Sequence, residues 1–283
     1  MRVISTVVLC LLLLLAGLAF ALGRSPALPT PPPITQSFSK SPPPPPPPPP
    51  RQEGKSATPA TAGLACIQNA LGGVRAFAGV SSLRVIGTTK PTAPPTGPHP
   101  LANKREIGVV FPNRYKQQNG PPETLPGQTS PAMTVGFNGS TLLSNPKQPD
   151  EVAAAVMRVV RRGFVQEILM RLPRELPDVR LSQRATRDAG QERLAIDAFG
   201  PNGLDATLLV DSQTCLPIAL QYAKAGARGD SDTYRVDLLE YRRVGGILFP
   251  AVLRTTRNGQ PWQDEFDSDI QVNVPFDDAY FRQ

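Results

Sequence analysis

Residues 133–173 read MTVGFNGSTLLSNPKQPDEVAAAVMRVVRRGFVQEILMRLP, and two periodicities meet in them. Met133, Val135 and Phe137 alternate with Thr134 and Gly136, the period of two expected of a half-buried strand. Asn138-Gly139 follows, a dipeptide that accepts the positive φ of a tight hairpin, and Ser140–Leu143 reads as the return strand. Asn138-Gly139-Ser140 also spells a glycosylation acceptor, but the turn accounts for the pair better. The period then lengthens. Val152, Val156, Val160, Phe164, Ile168 and Leu172 recur every four residues, and Met157, Val159, Val165 and Leu169 widen the stripe. This predicts a helix from Pro149 to Leu172, with Asp150 as N-cap or first-turn acid and Pro173 as the stop. A stripe that wide buries against a sheet. Arg158, Arg161 and Arg162 read as the helix's solvated face.

Outward from this segment the chain is mostly short strands. Ala62–Leu71 and Val74–Val80 are two short helices divided by Gly72-Gly73. Ser82–Thr88 and Arg105–Phe111 alternate as strands, the second expected to run on past Pro112 to Tyr115 as an edge or bulge. From Leu181 the chain is a meander. Arg193–Phe199 and Leu204–Val210 flank Pro201-Asn202-Gly203, and Pro217–Tyr222 and Thr233–Glu240 flank a Gly/Asp-rich loop. Ile247–Thr256 and Trp262–Asp267 flank Asn258-Gly259, Ile270–Val274 is a last short strand, and Pro275–Phe281 a terminal turn. Hairpin-linked strands with one long helix midway predict an α+β fold: a large antiparallel sheet that twists and curls around the apolar helix, leaving a concave face that is either core or ligand cavity.

The N-terminal quarter has a different character. Arg2, the apolar run Val7–Leu18 and Ala19-Phe20-Ala21 spell a signal peptide over residues 1–21; Val3–Leu22 is also just long enough to stay as a membrane anchor. Residues 22–61 form a low-complexity linker in which Pro42–Pro50 is unbroken, a polyproline II rod of about 28 Å. It reads as a spacer or a tail without a partner. Residues 62–283 are the folded domain. Either fate of the leader places the domain in the periplasm or cell envelope.

Charge and composition exclude several functions. Of the net +7, Arg2, Arg24, Lys40, Arg51 and Lys55 against Glu53 put +4 in residues 1–62, leaving only +3 on the folded part. That excludes nucleic acid as the expected partner. The single histidine, His99, lies in a proline-rich loop and is a poor base, so no nucleophile–base pair and no enzyme activity are expected. Asp230, Asp232, Asp267 and Asp269 read as solvated turn acids, and no cofactor or metal site is expected.

A family resemblance emerges from the order of the motifs. Ala70-Leu71-Gly72-Gly73 precedes Ser82-Leu83-Arg84-Val85 and Gly87-Thr88. Phe111-Pro112-Asn113-Arg114-Tyr115, Gly136-Phe137-Asn138-Gly139, Asp211 with Thr214, Leu216 and Pro217, and Tyr241-Arg242 with Val244, Gly246, Phe249 and Pro250 follow in order. Together they resemble the LolA-like superfamily, the periplasmic lipoprotein carriers and related outer-membrane lipoprotein-sorting proteins. The resemblance spans about Ala70 to Phe281 and implies an α+β fold in which a curved antiparallel sheet forms an unclosed half-barrel with helices on its concave side, capturing acyl chains or another hydrophobic ligand without chemistry. The proline-rich tail departs from the carrier pattern.

An acyl chain binds through apolar area alone, about 0.8 kcal/mol per methylene. The cavity candidates are Val85, Val109, Phe111, Val135 and Phe137 on strands and Val156, Val160, Phe164 and Ile168 on the helix; the same residues also suit an ordinary core. Once exported, Cys66 and Cys215 can pair as a disulfide or stay as two buried thiols. Two functions stand. One is a carrier or sensor whose partner is a lipid or the acyl chains of a lipoprotein. The other is an anchored interaction module that binds an envelope protein and whose cavity is filled.

Overall fold

The apolar stripe around residue 160 is what the rest of the chain wraps. The computed structural model describes residues 58–92, 103–122, 133–225 and 231–282. The leader, the proline run, His99 and Asp230 lie outside these. Two short helices open the domain, α1 (Thr61–Leu71) and α2 (Val74–Ala78), and the long one is α3 (Asp150–Arg171). Gly72 and Gly73 take φ of 146° and 105°, and the Gly73 amide donates to the Gln68 carbonyl at 2.7 Å, which ends α1. Pro149 occupies the N-cap of α3, so Asp150 and Glu151 act as first-turn acids facing the positive end of the helix dipole.

Thirteen strands form one antiparallel sheet: β1 (Thr58–Pro59), β2 (Ser82–Pro91), β3 (Asn103–Val110), β4 (Arg114–Pro122), β5 (Met133–Asn138), β6 (Leu142–Asn145), β7 (Arg180–Asp188), β8 (Gln191–Gly200), β9 (Leu204–Asp211), β10 (Pro217–Ala225), β11 (Ser231–Val244), β12 (Ile247–Arg257) and β13 (Gln260–Val272). Their order is β1-β7-β8-β9-β10-β11-β12-β13-β2-β3-β4-β5-β6, so among the described residues β1 and β6 are unjoined edges. Helix α3 touches β5 and β6 on one side and β9 and β10 on the other. In a flat sheet β5 and β9, eight places apart, would stand about 38 Å apart, several times the width of a helix. The sheet therefore curls around α3, and the fold is the α+β unclosed half-barrel that the family resemblance implies.

Cys66 on α1 and Cys215 in the β9–β10 turn are joined by a disulfide, Cα to Cα 5.7 Å, across 149 positions of sequence. The terminal turn is a short 3-10 segment, Asp278–Phe281, capped by the Asp277 carboxylate, which accepts from the Ala279 amide at 2.9 Å.

Four local readings need correction. Pro112 does not continue β3. Phe111, Pro112 and Asn113 form a turn and β4 is a full strand beyond it, because proline offers the ladder no donor. Ile270–Val274 is not a separate strand: Ile270, Gln271 and Val272 are the end of β13, and Asn273 and Val274 lie beyond it. The pairing skips Ser268, whose hydroxyl donates to the Ile86 carbonyl at 3.1 Å, and this bulge breaks the period of two that marks a strand. β7 has no apolar alternation and reads as nothing in sequence. Val159 is 49% exposed and lies outside the helix stripe.

Candidate functional site

Cross-strand registry decides the character of the face that α3 covers. Residues paired across neighbouring strands share a face, so successive rows can be followed over β13, β2, β3, β4 and β5. The first row is Val272, Leu83, Val109, Tyr115 and Phe137; the second is Ile270, Val85, Ile107, Gln117 and Val135. The third is Asp267, Gly87, Arg105, Asn119 and Met133, and the fourth continues as Glu265, Thr89 and Asn103. The inner face therefore changes from apolar to polar about halfway along the strands.

In the apolar half, the cavity candidates are tightly packed. Val85, Val109, Phe137, Val156, Val160, Phe164 and Ile168 all belong to one buried cluster, and Phe111 and Val135 pack against it half-buried. Phe137 stands edge-on to Phe164 with centroids 5.4 Å apart, and Tyr115 lies 6.0 Å from Phe137 and 5.6 Å from Phe164. This aromatic triad holds the β4–β5 hairpin against α3. Phe111 sits in the turn after β3, beneath the Arg174 guanidinium at 4.3 Å.

In the polar half, five charged side chains meet. Arg105 on β3 lies 2.5 Å from the Glu265 carboxylate, and its Nη2 donates to Asp267 Oδ1 at 3.2 Å. Arg171, in the last turn of α3, donates from Nε and Nη2 to Asp267 Oδ2 at 3.1 and 2.9 Å and also pairs with Glu167. Asp267 is 2% exposed, so it is no solvated turn acid; it is the pivot between α3, β3 and β13. Burial disfavours both guanidinium charges, but the surrounding carboxylates outweigh it and hold Arg105 and Arg171 above their ordinary range. Burial likewise pushes the Glu167 carboxyl up, against the pull of Arg171 and Arg105.

Sequence reasoning missed this cluster. The one signal was Gly87, a glycine inside a strand. A Cβ there would run into the Phe266 carbonyl and come 3.1 Å from Asp267 Oδ1. Its absence lets Arg105 and Asp267 meet across β2. Among the described residues no group of His, Cys, Asp or Glu is gathered so as to hold a metal ion.

Between the two edges of the sheet a cleft of about 260 Å³ remains. Its walls are Phe137 and Gly139 from the β5–β6 hairpin, Arg161, Arg162, Phe164 and Val165 from α3, Leu176–Val179 ahead of β7, and Pro201, Asn202 and Leu204 from the β8–β9 turn. Two of the three arginines assigned to the solvated helix face are therefore drawn into the structure. Arg161 stacks 4.7 Å over the Phe137 ring and donates to the Gly139 carbonyl at 2.6 Å, and Arg162 is half-buried; Arg158 is exposed as expected.

No family profile and no curated protein matches the chain. Three solved structures are similar to it. One is a LolA superfamily protein from Nitrosomonas europaea, with TM-score 0.49 and 10% identity, covering 80% of this chain and 99% of that one. The second is a DUF1329 family protein from Desulfovibrio piger, with TM-score 0.48 and 11% identity, covering 80% and 98%. The third is a putative outer membrane lipoprotein-sorting protein domain from Vibrio parahaemolyticus, with TM-score 0.46 and 10% identity, covering 78% and 97%.

Proposed function

We propose that the chain is an exported, non-catalytic envelope protein that binds a hydrophobic ligand of acyl type, as a carrier or a sensor. The observation that supports this is the cleft left by the unclosed sheet, whose floor of Phe164, Val165, Leu176 and Leu204 is apolar and lies directly over the Phe137–Phe164 pair. Apolar area in a preformed cleft binds an acyl chain without any directional group. A cleft of about 260 Å³ holds part of a chain, so a full-length acyl group needs the aromatic triad to yield.

The packing of Val85, Val109 and Ile168, each at most 1% exposed, favours a second reading. In it the concave side is simply core, and the domain, tethered through the proline-rich segment, binds an envelope protein. Native mass spectrometry of the full chain purified from its own envelope separates the two. Bound acyl species on a chain beginning at Leu22, lost in Val165→Asp, are the carrier result. A ligand-free chain retaining Met1 is the module result. Val165 is the position to change because it lines the cleft half-buried, whereas a charge at Phe137, 1% exposed, would unfold the core.

A further inference from the structure

Outside the five-charge cluster, Lys224 and Arg162 are two half-buried cations that the ion pairs of the described residues do not use. Lys224, near the end of β10, places its ammonium 4.8 Å from the Tyr234 ring and 5.2 Å from the Tyr222 ring. Those rings are stacked, 5.3 Å apart and within 8° of parallel. Among the described residues no carboxylate pairs with this ammonium. Asp232, directly across the ladder from it, is taken by Arg257 at 2.5 Å and Asn258 at 2.8 Å. Glu265 is taken by Arg105 and Arg171.

Arg162 is the second cation. It lines the cleft, its Nη1 lies 3.9 Å from where a Cβ on Gly203 would stand, and it too has no ion pair among the described residues. Helix α3, which carries Arg162, packs on β10, which carries Lys224, and on the β8–β9 turn. Burial pushes Lys224 down to about 8, and the Arg162 charge adds to the effect. Half-buried cations without counter-ions are costly, and two of them that repel each other cost more. The tyrosine stack offsets only part of this. An anion arriving from solution would find both charges already stripped of much of their water, with one of them at the wall of the apolar cleft.

We propose that Lys224 and Arg162 receive the anionic group, a phosphate or a carboxylate, of an amphiphile whose apolar part lies along the cleft. The apolar half of this assignment rests on the acyl-binding reading above; the anion site stands on its own geometry.

The test is a titration of the full chain followed by the fluorescence of Trp262, the single tryptophan, whose ring lies 4.9 Å from the Arg257 guanidinium. The probes are a lauroyl lysophosphatidic acid, the uncharged monolaurin and inorganic phosphate, each below any micelle concentration. The lysophosphatidic acid is expected to bind about tenfold more tightly than monolaurin, the worth of a charge-assisted contact. Lys224→Gln and Arg162→Gln each reduce that ratio, the double variant abolishes it, and Lys224→Arg keeps it. Thermal melts confirm that the variants fold. Equal binding of charged and neutral lipid, or a preference that survives in the double variant, overturns the anion site and leaves the acyl reading standing. Phosphate binding as tightly as the lysophosphatidic acid, and lost in the double variant, supports the anion site, makes free phosphate its source and removes the acyl reading. No binding of any probe overturns both.

Discussion

Strand β2 crosses the inner face once, and its two halves face different chemistry. Leu83 and Val85 sit in the packed core, while Gly87 and Thr89, one turn of the pleat further on, sit among Arg105, Asn103, Asp267 and Glu265. The backbone ladder is continuous, so the difference comes from side chains alone. The apolar half stabilises the fold through area removed from water. The charged half contributes little net stability, because desolvation consumes most of the Coulombic gain, but it fixes where the end of α3 meets the sheet. The comparison teaches that the apolar half holds the fold together, while the polar half sets geometry.

The comparison can be broken or sharpened in four ways. The largest effect belongs to the disulfide, which ties α1 to the apolar end of the sheet. Cys66→Ser with Cys215→Ser should cost about 4–5 kcal/mol, the entropy of opening so long a loop, read from urea denaturation; a loss near zero would mean the apolar end holds itself. Next comes the charged half. Arg171→Met removes two of the hydrogen bonds to Asp267 and the nearest partner of Glu167, leaving only Arg105 to both, and should cost about 3–5 kcal/mol. Combined with Asp267→Asn it should cost less than the two changes added, and strict additivity would show that the pair is not a unit.

Phe164→Ala should cost about 3–4 kcal/mol by opening a cavity beside Phe137 and Tyr115, measured by the same denaturation. If it costs under about 1 kcal/mol, the aromatic triad is loosely held and the apolar half is not the rigid one. The smallest effect is a gain. Lys224→Met should raise the melting midpoint at pH 7 by about 2–4 °C, because the charged amine is disfavoured where it is partly buried. The sign follows from the lowered value: between about 8 and the ordinary 10.5 the folded state has released a proton that the unfolded chain still holds, so wild-type stability rises with pH there. The advantage of Lys224→Met should therefore fade across that window. An advantage that is the same at pH 7 and pH 10.5 would mean the amine is hydrated and not part of a desolvated site.

How much was legible in sequence depended on whether the signal was local. The hairpin at Asn138-Gly139 was legible because the turn chemistry is carried by the dipeptide itself, and its Asn138 side chain accepts from the Thr141 amide at 3.2 Å. Helix α3 was legible because its apolar residues keep one spacing for its whole length. β7 was not, since RLSQRATRD carries no alternation. The end of β13 was hidden by the bulge at Ser268, which shifts the register mid-strand. Asp267 read as a solvated acid because two carboxylates around a serine suit a turn equally well; only Arg105 and Arg171, 162 and 96 positions away, show that it is buried.

By itself, then, the amino-acid order determined the elements and their class: hairpin turns, alternating strands and one wide-striped helix commit the chain to a curled antiparallel sheet around α3. The tertiary structure alone decided which arginines lose their water, which carboxylates they meet, and that Lys224 and Arg162 are left without one among the described residues. Secondary structure is written in spacings of two to four residues, which a sequence shows directly. Charge pairing is written in distances through space, between strands whose neighbours in the sheet lie far apart along the chain.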